Sequence, residues 1–141
     1  MSTIVGLKAR ARIENQLDTL IDSAEKLVDS TNIVAELLPA QLRNLLNMAS
    51  STDSFKAVEL FIQYQMGRER EGKGWRHGGF GDQLIQELHK FDDLVEQIAK
   101  ETEADKVKVK MELVRLLIGY LTRYFSYKSA DKERPKREGT S

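Results

Sequence analysis

The chain has 141 residues, with 22 Lys/Arg balanced by 22 Asp/Glu, 40% hydrophobic residues and no cysteine. That length fits one domain with one continuous core. The charge balance excludes a protein-wide basic field, and the absence of cysteine excludes disulfides, thiolate metal sites and a thiol nucleophile. No apolar run approaches the roughly 20 residues that cross a bilayer. The opening MSTIVGLKARARIENQ lacks the apolar core of a signal peptide, so a cytoplasmic location is expected.

Alternation of strand type is nearly absent, and helical spacing recurs in five places, which predicts an all-α chain. The first helix is expected over about 5–29, with Ile13, Leu17, Leu20, Ile21, Ala24, Leu27 and Val28 on one stripe. Ser30-Thr31-Asn32 closes it. A second helical region, 31–50, contains Pro39; proline suits a first helical turn, so a break near Leu38 and a fresh start at Pro39 are expected. Ser51-Thr52-Asp53-Ser54 is a dense capping signal for a third helix reaching about Met66, with Gly67 as its C-terminal cap.

A fourth helix, about 82–102, is expected to be capped by Asp82 and to bury Leu84, Ile85, Leu88, Phe91, Leu94, Val95 and Ile98. The fifth, about 104–129, carries Val107, Met111, Val114, Leu117, Ile118, Leu121 and Phe125, with Asp105 favourably placed at its start. The expectation is one compact bundle of about five helices over 1–129, followed by a disordered polar tail over 130–141.

Charge is polarised along the chain. Residues 82–105 hold 2 Lys/Arg against 8 Asp/Glu, and residues 106–141 hold 10 against 4. The two segments either pack side by side and cancel or face different partners.

The densest functional signal lies between the third and fourth helices. Arg68, Arg70, Lys73, Arg76 and His77 share a glycine-rich loop with Trp75 and Phe80. Cations there can neutralise phosphates, aromatics can stack on bases, and glycines admit close backbone approach. The alternative is a helix–helix connection whose Trp75 folds back onto the core. On the fifth helix Arg115, Arg123 and Lys128 accompany Tyr120, Tyr124 and Tyr127, a set that can clamp RNA or simply finish an amphipathic helix. Arg43 is a single cation on a polar face. No phosphate-cradling or dinucleotide-binding glycine motif is present, and His77 and His89 make no metal-ligand spacing, so no cofactor, metal or catalytic residue is expected.

Four separated pieces resemble a known family: LPAQLRNLLNMAS (38–50), FIQYQMGR (61–68), GDQLIQELHKF (81–91) and ELVRLLIGYLTRYFSYKS (112–129). In order and spacing they look like the small helical subunit of type III CRISPR–Cas effector complexes, the Csm type in particular. The resemblance implies an all-helical, non-catalytic protein of antiviral defence, present in several copies along a guide-RNA filament. It implies contacts with guide RNA and target RNA, with other copies of itself, and with the backbone and large subunits. Target phosphates would be held without sequence reading, by Arg43, Arg68, Arg115, Arg123 and Lys128. Arg70, Lys73, Trp75 and Arg76 join them on the loop argument alone. The alternative reading is a protein–protein adaptor without nucleic acid, docking through the tyrosine-rich end of the fifth helix. A small nuclease using His77 would need a general base that the sequence does not identify.

Overall fold

The computed structural model describes residues 6–133. Among these the chain forms α1 (Leu7–Glu14), α2 (Leu17–Thr31), α3 (Pro39–Ser50), α4 (Phe55–Gly67), α5 (Phe80–His89), α6 (Phe91–Thr102) and α7 (Lys106–Glu133). Tight 3-10 turns lie at Ile33–Ala35 and Gly74–Gly79, and the described residues form no strand. The fold class is all-α, as expected.

α7 is the centre of the fold. Met111, Val114, Leu117, Ile118, Leu121 and Phe125 enter the main core, while Val109 and Leu113 enter a smaller one. A helix apolar on more than one side must be surrounded, and α2, α3 and α6 pack along it. The main core adds Val58 and Ile62 of α4, Leu84 and Leu88 of α5, and Trp75. The smaller core joins Ala9 and Ile13 of α1 to Val95 and Ile98 of α6. Val107, expected on the inner stripe, is 53% exposed.

Two expected helices are each divided. The first breaks at Asn15 and Gln16, where Gln16 N–H bonds back to the Ile13 carbonyl at 2.8 Å. The break lets α1 fold onto α6, where Arg12 pairs with Glu101. The expected 82–102 helix starts earlier, at Phe80, and bends at Lys90. Phe91 packs into both cores at that bend, so the division lets one sequence stretch serve two clusters. Asp82 therefore lies in the first turn of α5, after the left-handed Gly79. Gly67 is the last residue of α4, and Arg68 follows it as the C-cap.

Other boundaries follow the sequence signals. α3 begins at Pro39, and the Gln41 Oε1 accepts the Leu38 N–H at 2.8 Å. Ser54 Oγ caps α4 by accepting the Ala57 N–H at 3.1 Å. Asp105 Oδ1 accepts the Lys108 N–H at 3.2 Å at the start of α7. α7 continues through Glu133, so residues 130–133 are helical where a disordered tail was expected. Residues 134–141 lie outside the described residues.

The acidic and basic segments meet within the chain. Lys106 Nζ is 2.8 Å from Glu96, and Lys110 pairs with Asp92. The acidic α6 thus turns part of its charge toward the start of α7.

Candidate nucleic-acid interface

The glycine-rich segment is built onto the end of α4. Glu69 N–H bonds to the Met66 carbonyl at 3.1 Å, and Lys73 N–H to the Arg70 carbonyl at 3.0 Å. The chain then turns inward at Gly74, whose N–H donates to Glu36 Oε1 at 2.9 Å. Gly74 is buried with the Glu69 carboxylate lying over its Cα, in the place a side chain would occupy. Arg76 Nη1 returns a bond to the Glu69 carbonyl at 3.2 Å. The His77 Nδ1 lies 3.1 Å from the Gly72 carbonyl; since a carbonyl only accepts, this nitrogen carries the proton. Glu36 Oε2 is 4.0 Å from the same nitrogen.

Gly78 closes the segment against the end of α2. Its φ is +61°, and an added Cβ would stand 2.5 Å from the Thr31 carbonyl oxygen. Only glycine fits both the left-handed backbone and the contact.

Trp75 is 1% exposed and its ring lies 5.8 Å from that of Phe80, itself fully buried. Neither ring can stack on a nucleobase, which corrects the expectation for Trp75. Burying two large aromatics contributes more than any exposed contact the loop could make. The indole Nε1–H has no acceptor among the described residues, a cost of about 1–3 kcal/mol that the ring's burial must exceed.

Arg115 is the second correction. Its Nε donates to the Ala49 carbonyl at 2.9 Å, and Nη2 to the Thr52 carbonyl at 2.7 Å and Asp53 Oδ1 at 2.9 Å. The guanidinium clamps the α3–α4 connection onto α7 and is spent there. Thr122 on the same helix is buried, its hydroxyl donating to the Ile118 carbonyl at 2.7 Å.

The loop and the end of α7, which carry most of the remaining predicted cations, both meet the end of α2. The loop touches the end of α2 through Gly78 and Thr31, and the lead-in to α3 through Gly74 and Glu36. The end of α7 reaches the end of α2: Tyr124 donates to Asp29 Oδ2 at 2.8 Å, and Lys128 Nζ stands 4.0 Å from Asp29 Oδ1. Asp29 pushes the Tyr124 phenol up to about 12, first through that hydrogen bond, then together with burial and the nearby carboxylate charge. Arg123 is exposed, its guanidinium 5.6 Å from the Tyr120 ring centroid.

Arg43, Arg68, Arg70, Lys73 and Arg76 are exposed. None of them makes an ion pair among the described residues, whereas Arg12, Lys90, Lys106, Lys110, Arg115 and Lys128 all do. Two contributors carried no sequence signal or only a faint one. Glu36, the loop's anchor, is joined to Gly74 by a contact 38 residues long. Tyr64 is 61% exposed and lies 5.6 Å from the Arg68 guanidinium; its phase, opposite to Val58 and Ile62, was the available clue. Compared with protein-family models, curated proteins and solved structures, the chain matches none.

Proposed function

We propose that this protein is a non-catalytic, RNA-contacting small subunit of a type III CRISPR RNA-guided effector complex. The observation that carries the reading is the density of exposed cations in the loop. Arg68, Arg70, Lys73 and Arg76 follow one another within a short segment, all exposed and without an ion pair among the described residues, as is Arg43, while Arg12, Lys106 and Lys110 pair with carboxylates. A net charge of zero then coexists with a locally positive end, which suits an RNA backbone approaching from one side. Arg123 and Lys128 extend that end along α7. The four-piece sequence resemblance points to the same partners: guide RNA, target RNA, further copies of this chain, and the backbone and large subunits.

The cations act by charge and position, and sequence specificity belongs to guide–target pairing. Individual contacts are weak; the several on one chain together give measurable binding, and an array of copies strengthens it further. Purification of the tagged protein from its native cells, followed by sequencing of bound RNA, tests the reading. A multi-subunit assembly holding short guide RNAs with repeat-derived ends is the expected result. A protein complex free of RNA would overturn it in favour of the adaptor reading, which draws support from Tyr127, 67% exposed at the end of α7.

A further inference from the structure

Leu60, Tyr64, Gly67 and Arg68 follow i, i+4, i+7, i+8 spacing, so they share one face of α4, opposite the buried Val58 and Ile62. Leu60 is 64% exposed and Tyr64 61% exposed. A Cβ added at Gly67 would meet nothing within 4 Å, so the flank of the tyrosine toward the helix end is open. The Arg68 guanidinium lies 5.6 Å from the ring centroid. Immediately beyond come Arg70 and Lys73, both exposed and without ion pairs among the described residues.

Other aromatics at this end are engaged. Trp75 and Phe80 are buried, the Tyr124 hydroxyl is held by Asp29, and Tyr120 is half-buried beneath Arg123. Tyr127 is exposed, but it leans on Tyr124 at 6.2 Å, close to Asp29. Tyr64 has the Arg68 guanidinium beside its ring, and the loop that follows carries the exposed Arg70, Glu71 and Lys73.

We infer that Tyr64 is a base-stacking platform for an unpaired nucleotide. Arg68 closes over the stack, and Arg70 and Lys73 hold the adjoining phosphates. The chemistry selects this occupant. A flat aromatic face beside exposed cations suits a partner that is both planar and anionic, and a nucleotide is both. A duplex keeps its base faces inside the stack, so the site prefers single strands. This inference rests on the cationic-end reading and adds a contact to the base faces that phosphate binding alone does not require.

The test uses the full chain with a single-stranded oligoadenylate RNA and a duplex RNA of equal length, each titrated across a salt series. Tyr64→Ala is expected to weaken single-strand binding about tenfold while leaving the salt slope and duplex binding unchanged. Tyr64→Phe should restore binding, because the ring and not the hydroxyl does the stacking. Arg70→Ala with Lys73→Ala should instead flatten the salt slope. A fluorescent adenine analogue in the strand should be quenched by wild type and by Tyr64→Phe, and not by Tyr64→Ala. Salt-sensitive binding by wild type that Tyr64→Ala leaves unchanged would overturn the stacking role and spare the cationic-end reading. Failure of wild type to bind either RNA would overturn both. Release of a co-purifying protein by Tyr64→Ala, with RNA binding intact, would assign the face to a protein partner and also overturn the inference.

Discussion

Replacing Arg115 by alanine should destabilise the protein while leaving its affinity for RNA unchanged. The side chain is 14% exposed and makes three hydrogen bonds, one to the Ala49 carbonyl in the last turn of α3 and two to the α3–α4 connection, at the Thr52 carbonyl and Asp53. Hydrogen bonds to a charged group contribute about 1.5–3 kcal/mol each. Asp53 is partly solvated, and water can reach Thr52 after truncation, so the full sum does not apply. A loss of about 2–4 kcal/mol remains, near the range for breaking a partly buried charge network. Urea denaturation should show a lower midpoint with an unchanged m-value, and the melting temperature should fall by roughly 10 °C. Arg115→Lys should lie between the two, because an ammonium keeps the charge but cannot span three acceptors as a planar fork does. A loss below about 0.5 kcal/mol, together with a flatter salt slope for RNA, would refute the clamp and return Arg115 to the interface.

Further predictions concern the loop and the end of α2. Gly78→Ala should cost about 1–3 kcal/mol or more, since it combines a left-handed backbone with a clash on the Thr31 carbonyl; chemical denaturation reads it directly. Gly67→Ala should stabilise by about 0.4–1 kcal/mol, since Gly67 is helical and its Cβ would enter open space. Trp75→Ala should cost about 3–5 kcal/mol, and because Trp75 is the chain's single tryptophan, native emission should be that of a buried indole. Tyr124 should titrate near 12 against an ordinary value of 10. The neutral phenol is the form favoured in the fold, so its stabilisation is intact below pH 10 and declines as pH rises from 10 toward 12. Spectroscopic titration of tyrosinate should show Asp29→Asn bringing Tyr124 back toward its ordinary value.

Local chemistry made much of the fold legible. Pro39, Ser54 and Asp105 each act at the boundaries their residue types indicate. The breaks at Asn15-Gln16 and Lys90 have no glycine or proline to announce them; they arise because α1 must reach α6 and Phe91 must serve two cores. The candidate interface was legible in its charges and not in its aromatics. Exposed arginines and lysines follow from their solvation, whereas the fate of an aromatic in a glycine loop depends on what it packs against. Trp75 meets Phe80 and the main core, and Tyr64 meets solvent. Arg115 looked like its neighbours on a polar helix face, and its role emerges only when α3 and α4 bring their joining segment alongside.

An RNA-binding surface formed by the cations of the loop and α3 would show itself in a salt series. Single-stranded RNA binding would be compared between wild type and a variant carrying Arg43→Glu, Arg68→Glu, Arg70→Glu and Lys73→Glu. All four side chains are exposed, so the variant should fold. Each lost phosphate contact removes roughly 0.7 from the slope of log affinity against log salt. The slope for the variant should be shallower by about 2–3, with affinity reduced at every salt concentration. An unchanged slope in a folded variant would contradict such a surface.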